Sequence, residues 1–207
     1  RICPCICAVL TVPFLNKNME KKAKLMAKPD FLAEGCMAAK FEGGLITRDF
    51  SQYQQKYGDF GYTTCTMLAR SFADIGDFFR GKNLYFGKKK KKKQKEILED
   101  NLKTIFENIY KGLTNGAQKH YEDGAPEFYK LREDWWTANR HTVWKAITCS
   151  ADDSNRYFRL TCNDNETLSH ANHKCRCKDK KGKNETDQVP TYFDHVPQYL
   201  RWFEEWA

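Results

Sequence analysis

The side chains in this 207-residue sequence best suited to chemistry or tight binding are a set of cysteines, two nearby histidines and a run of lysines. Cys149, Cys162, Cys175 and Cys177 lie in a polar, charged stretch poor in core formers, and His170, His173, Cys175 and Cys177 spell H-x2-H-x-C-x-C. Thiolate with imidazole is the donor set of a structural zinc. A single residue between two thiolates strains a tetrahedral site, however, and no second C-x2-C pair stands elsewhere. Disulfides are the favoured reading. Four cysteines allow three pairings; Cys175 and Cys177 are too close for an easy mutual bridge, which leaves Cys149 and Cys162 each joined to one of them. A bridge closing such a loop contributes about 2–4 kcal/mol, enough to hold a segment with no core of its own. Cys36 and Cys65 either bridge each other or reach another region. Nine cysteines exceed ordinary usage in a reducing compartment. Their odd number leaves at least one without a partner in this piece, and Cys3, Cys5 and Cys7 are unassigned.

Other constellations are weaker. Asp59-Phe60-Gly61 matches the magnesium-binding tripeptide of protein kinases, but the catalytic-loop Asp and Asn and the glycine-rich loop it requires are missing, so it reads as a turn. Arg140-His141 near Asp134 suggests acid–base work, yet on a helix with so wide an apolar face these residues read as its solvated side. No Ser/His/Asp or Cys/His set stands out, and no catalysis, metal or cofactor is expected. Lys88, Lys89, Lys90, Lys91, Lys92 and Lys93, with Lys95, supply seven of the positive charges, and without them the formal +8 falls to +1. Positive potential is therefore local to that segment. It is either a solvated, variable loop or a patch for sulfated glycans, joined in the second case by Lys174, Arg176, Lys178, Lys180, Lys181 and Lys183. Asn165-Glu166-Thr167 and Asn184-Glu185-Thr186 match glycosylation acceptors in the same loop-like region.

Helices must position these groups. With 41% apolar and 14% aromatic residues the chain carries a real core, as one domain or one and a half. A helix is expected from Pro29, containing Cys36 and ending at Gly43-Gly44. After a glycine-punctuated turn (Tyr57 to Thr64), Met67, Leu68, Phe72, Ile75, Phe78 and Phe79 line a second helix capped by Gly81. The lysine run, too self-repelling for a packed element, is a solvated loop or frayed helix start. It leads into the cleanest amphipathic helix, with Ile97, Leu98, Leu102, Ile105, Phe106, Ile109 and Leu113 on one side. A long tryptophan helix runs from about Glu127 to Ile147, on the order of 30 Å. Phe128, Leu131, Trp135 and Ala138 form one stripe, widened by Trp136, Val143 and Ile147. Its face implies two or more neighbouring helices. Tyr157 to Cys162 reads as a short strand without a partner, and Val189 to Ala207 as another helix. Trp135, Trp136, Trp144, Trp202, Phe203 and Trp206 are the expected core. No apolar run approaches the roughly 18 residues that cross a bilayer. The last helical pattern is still running at Ala207, so the chain reads as a piece of something longer.

CMAAKFEG, YGDFGYTTCTMLARSFADIGDFFRGKNLYFG, PEFYKLREDWWTANRHTVWKAITC and VPTYFDHVPQYLRWFEEWA together resemble one family closely. It is the Duffy-binding-like domain of the alpha type, from the variant erythrocyte membrane protein 1 adhesins of malaria parasites. The resemblance covers about Asn16 to Ala207, while residues 1–15 are an atypical lead-in. It implies a mostly α, disulfide-linked helical bundle with long variable loops, lacking the third helical subdomain of the family. It also implies exposure on the infected red cell and adhesion to host receptors or uninfected erythrocytes. A shared fold does not name the receptor.

These features describe a binding module whose recognition comes from Lys88–Lys95 and Asn163–Asp187, with a host cell-surface receptor or sulfated glycan as partner. Nucleic acid is not expected, and a membrane only through parts outside this piece. The alternative from another class is an intracellular, zinc-containing nucleic-acid-binding protein, which would keep its thiols reduced.

Overall fold

The computed structural model describes residues 28–57, 63–82, 89–122, 127–164, 167–178 and 188–201. In chain order these form α1 (Lys28–Tyr57), α2 (Thr64–Arg80), α3 (Lys89–Lys111), the short α4 (Asn115–His120), α5 (Tyr129–Ile147), β1 (Leu160–Asp164) and β2 (Thr167–His170). Two 3-10 turns, Phe193–His195 and Gln198–Leu200, follow. The protein is mostly helical, as expected.

Helix α2 has both expected ends. The Thr63 hydroxyl accepts from the Thr66 amide at 3.2 Å, and Gly81 takes the left-handed conformation at φ 73°. The amides of Gly81 and Lys82 then reach back to Phe78 O and Asp77 O, which serves carbonyls the helix itself leaves unpaired. Leu68, Phe72 and Phe79 are buried from this helix, and Leu102, Ile105, Phe106 and Ile109 from α3. Ile97, expected on the apolar side, is half exposed.

Helix α5 is the hub. It packs against α1, α2 and α3, which accounts for the width of its apolar face. Phe31, Phe79 and Phe106 surround Trp135 with ring centroids 5.0–5.9 Å away. Phe72 lies 5.1 Å from Trp136 and 5.2 Å from Trp144. Trp136 and Trp144 are fully buried, and each indole N–H has a partner: Asp194 Oδ2 at 2.9 Å and Cys175 O at 3.1 Å. A buried indole needs that partner. Ala138, expected on the apolar stripe, faces solvent.

Three expectations fail on local detail. Gly43-Gly44 does not end α1, which runs on to Tyr57. A Cβ on Gly43 would lie 1.8 Å from Ile147 O, so this glycine is where α1 crosses the end of α5 at backbone contact. The strand expected to stand alone has a partner: β1 pairs antiparallel with β2, with Asp164 opposite Thr167 and Leu160 opposite His170. That partner, TLSH at 167–170, carries a single large apolar residue and so gives no strand pattern of its own. The tail from Val189 is not a helix through Leu200 but an irregular strap with two 3-10 turns, interrupted by Pro190 and Pro197, which lack the amide a helix needs. Trp202, Phe203 and Trp206 lie outside the described residues, as do Cys3, Cys5, Cys7 and most of the Tyr57–Thr64 turn, including Asp59-Phe60-Gly61. No described helix is long and apolar enough to cross a membrane.

Candidate functional site

The β1–β2 hairpin and the return segment through Lys178 form a lobe bound covalently to the helices. Cys65 of α2 is joined to Cys175, and Cys162 of β1 to Cys177. Cys149 is disulfide-bonded too, and to neither of those partners. The expected pairing of Cys175 or Cys177 with Cys149 is therefore corrected, as is a Cys36–Cys65 bridge: Cys175 is claimed by α2, a contact 110 residues away that no local spacing discloses. Cys36 is buried in α1. With both thiols of Cys175 and Cys177 in disulfides, the zinc reading falls, and His170 Nδ1 instead meets Tyr157 O at 3.0 Å. The bridges also remove the premise of reduced thiols on which the nucleic-acid-binding alternative stood.

His173, Lys174 and Cys175 have φ of 53°, 60° and 56°. A left-handed conformation costs about 1–2 kcal/mol per non-glycine residue, so three in succession persist only where the surroundings over-determine them. Here Lys174 N donates to Asp152 O and Cys175 N to Asn155 O, both at 3.3 Å, while the Cys65 bridge holds the last residue.

Of the basic set, the side chains of Lys174, Arg176 and Lys178 are the ones described. Lys88, Lys180, Lys181 and Lys183 lie outside the described residues. Lys89, Lys90, Lys91, Lys92, Lys93 and Lys95 form the opening turns of α3, so of the two expected forms, solvated loop or frayed helix start, the run takes the helix start; their side chains lie outside the described part of the structure. Continuity with the amphipathic stretch that follows explains the helix, because a nucleated helix extends through lysine at little cost. Lys174 and Lys178 are half-buried. Arg176 is removed from the expected patch. It is 8% exposed, its Nε donates to Thr148 Oγ1 at 2.9 Å and its Nη2 to Lys145 O at 2.6 Å. It thereby closes the carboxyl end of α5, where carbonyls lack intrahelical donors and a cation is favoured.

Arg140, expected on a solvated side, is not there. Its Nε and Nη2 bind the two oxygens of Asp194 at 2.9 and 2.7 Å, and Nη2 also donates to Thr191 O. Burial would raise the Asp194 pKa, but the hydrogen bonds and charge of Arg140, with the Trp136 N–H and His195, hold it below the usual carboxylate range. Around it, Arg80 donates to Asp194 O and to Asp77 Oδ1, and Arg201 reaches Asp74 at 2.7 Å and Asp77 at 2.5 Å. Burial pushes Asp77 upward against the pull of Arg201 and Arg80. Arg132, fully buried, pairs with Glu99 and donates to Phe79 O. The ion pairs of Arg140 and Arg201, with the hydrogen bond from Arg80 to Asp194 O, strap residues 191–201 onto α2 and α5. Asp134, the third member of the acid–base set, instead accepts from Tyr121 OH at 3.0 Å. The arrangement fixes structure, and no nucleophile–base pair emerges from it among the described residues. Sequence reading missed Arg80, Arg132, Asp194 and Arg201; the available signal was an arginine set among apolar residues in DFFRG and YKLRE, where a solvated cation has no reason to sit.

The surface leaves apolar side chains in water: Leu160 and Leu168 on the hairpin, and Tyr192, Tyr199 and Leu200 on the strap. A shallow cleft of ≈ 300 Å³ runs beside Lys40, Phe41, Gly44, Leu45, Arg48 and Ser150.

Residues 8–201 match the Duffy binding domain family. Among solved structures, the NTS-DBL1(alpha-1) domain of Plasmodium falciparum membrane protein 1 (PfEMP1) from the varO strain is 41% identical, with a TM-score of 0.69 over 92% of this chain and 40% of that one. The NTS-DBL1-alpha and CIDR-gamma double domain of the same strain's PfEMP1 is 42% identical, with a TM-score of 0.65 over 86% of this chain and 24% of that one. A PfEMP1 DBLb domain solved bound to human ICAM-1 is 25% identical, with a TM-score of 0.61 over 92% of this chain and 37% of that one. The chain thus spans less than half the length of these solved chains. No curated protein matches it.

Proposed function

The chain belongs to the Duffy binding domain family, and from that premise we propose that it serves as an adhesion module for a host cell-surface receptor on the outer face of the infected erythrocyte. The observation that carries the reading is its 41% identity over 92% of its length to a PfEMP1 NTS-DBL1(alpha-1) domain. A more distant domain with the same fold was solved holding ICAM-1. The disulfides support an oxidising, extracellular setting. A rigid helical frame carrying a cross-linked lobe suits binding rather than turnover, and no enzymatic role is assigned.

Within that reading the lysine-rich segment of Lys88, Lys89, Lys90, Lys91, Lys92, Lys93 and Lys95 is the element for sulfated glycans, joined by Lys174, Lys178, Lys180, Lys181 and Lys183. Arg176 is no longer among them. Several ion contacts make such binding fall steeply with salt. The test is a screen of the complete domain against uninfected erythrocytes, host receptors and immobilised heparin, with Lys88 to Lys93 replaced by Gln in parallel. Loss of heparin retention in the replaced protein is expected. Unchanged retention removes the glycan assignment, and failure to bind any cell or receptor removes the adhesion reading itself.

A further inference from the structure

Asn115 is the one asparagine of the sequence that precedes a glycine, and the fold leaves that pair open. Both residues are exposed at the start of α4, a six-residue helix with no buried residue. Thr114, its N-cap, makes no side-chain capping bond, so the first turn lacks its usual latch. As the second residue of α4, Gly116 has no carbonyl within the helix for its amide. No turn or loop carbonyl among the described residues takes it either; the first α4 amide so engaged is that of Gln118, to Thr114 O at 2.9 Å. A Cβ at Gly116 would meet nothing within 4 Å, so no neighbour shields the nitrogen. Other helical asparagines are held differently. Asn101 and Asn108 lie inside α3 ahead of Leu102 and Ile109, and Asn139 Nδ2 donates to Trp135 O at 2.7 Å within α5.

We propose that Asn115 is a site of self-modification, where the chain converts an amide to a carboxylate with water as its only co-reactant. The Gly116 amide nitrogen gives its proton to water and attacks Asn115 Cγ. A C–N bond forms, the bond from Cγ to Nδ2 breaks, and ammonia leaves with a proton taken from water. Water then opens the cyclic imide at either of its carbonyls, giving aspartate or isoaspartate at this position. Each product adds a negative charge, but their consequences for α4 differ. Aspartate puts a carboxylate in the first turn, at i,i+4 spacing before Lys119, where both the helix dipole and the ion pair favour it. Isoaspartate lengthens the backbone by a carbon and breaks the turn. Gln118 then loses its seat, and with it the bonds from its Nε2 to Tyr110 O at 3.1 Å and Leu113 O at 3.2 Å that close the end of α3. The modification is a one-way, age-dependent change of charge and fit at the α3–α4 corner, and it stands independently of the adhesion reading.

The test holds the full 207-residue chain at neutral pH and body temperature, digests it at mildly acidic pH with a lysine-specific protease, and reads residues 112–119 by mass spectrometry. A synthetic peptide of the same residues sets the unrestrained rate. Conversion at Asn115 is expected within about tenfold of the peptide's rate, because an exposed helix end opens at little cost, and it should yield both isoaspartate and aspartate. Asn108 and Asn139 should remain intact over the same period. Gly116→Ala, whose Cβ has open space, should fold and convert about tenfold more slowly than the parent, since glycine lets the nitrogen approach most closely. A native chain slower than the stated limit overturns the proposal, as does earlier conversion of Asn108 or Asn139. Aspartate without isoaspartate, which means direct hydrolysis rather than attack by the Gly116 nitrogen, overturns it too, and so does a Gly116→Ala chain that converts at the parent rate.

Discussion

Gly43 and Gly44 are adjacent in the same helix, and alanine should have opposite effects at the two. An interior Gly→Ala change ordinarily favours a helix by about 1 kcal/mol, because alanine loses less conformational entropy. At Gly44 that gain should survive. The nearest atom to a new Cβ is Ser150 Oγ at 3.5 Å, an ordinary contact. At Gly43 the Cβ would meet Ile147 O at 1.8 Å and Ile147 C at 2.8 Å, both backbone atoms with no side-chain torsion to relieve them. Restoring even 3.0 Å requires α1 and α5 to part by about 1.2 Å, in an interior packed like a crystal. Overpacking of this kind costs about 1–3 kcal/mol where side chains can adjust, and backbone contact belongs at the upper end. Set against the propensity gain, the net loss should be about 2 kcal/mol. With a urea slope of about 2 kcal/mol/M, the midpoint should fall by about 1 M for Gly43→Ala and rise by a few tenths for Gly44→Ala. Tryptophan fluorescence follows the transition, since Trp144 lies one turn from Ile147. If Gly43→Ala matched or exceeded the parent, the glycine would mark a solvated helix end, and the close crossing of α1 with α5 would be wrong.

Other consequences are as direct. Non-reducing peptide mapping should recover Cys65 linked to Cys175 and Cys162 linked to Cys177; a Cys149–Cys175 peptide would contradict the structure. Replacing Cys65 and Cys175 by Ser should cost more than replacing Cys162 and Cys177, about 4–5 against about 3 kcal/mol in denaturant unfolding, because the first bridge closes the far longer loop. Asp194→Asn should destabilise by about 3 kcal/mol at neutral pH, since it leaves Arg140 with a neutral partner in a buried site. The folded-state pKa of Asp194 is lowered, so its contribution is complete above the unfolded value of about 3.9 and is lost as pH falls through the folded one. Parent and variant should therefore differ constantly from about pH 8 to about pH 5, with the gap narrowing below about 4 and closing only as the pH falls through the lowered folded value in acid-unfolding curves; a gap that stays constant through that range refutes the charge assignment.

Much of the helical frame was legible from local chemistry. The 3–4 spacing of Leu68, Phe72 and Phe79, the cap at Gly81 and the broad face of α5 depend on nearest neighbours along the chain, and a helix is a local structure. The same holds for Trp136 and Trp144, whose size allows few places other than a core. Long motifs such as YGDFGYTTCTMLARSFADIGDFFRG carried the family, because a match of that length constrains fold more tightly than periodicity does. Periodicity was a poorer guide at Lys89, Lys90, Lys91, Lys92 and Lys93, which hold no apolar residue to mark a helix and yet begin α3.

What tertiary structure alone decided were contacts between residues distant in sequence. Two glycines in a row look like a helix stop from inside the chain, and only the passage of Ile147 O shows that one of them is a crossing point. Four cysteines close together invite local pairing, yet Cys175 is bound to a helix 110 residues earlier. Arg140 and Arg176 look like surface cations until Asp194 and the end of α5 are brought to them by the fold. Sequence by itself established the helical character of α2, of the amphipathic part of α3 and of α5, and that sulfur fastens a polar lobe; it could not establish which partner each cysteine or charge meets, because pairing energy depends on separation in space, and spacing along a chain reports that separation only within one element.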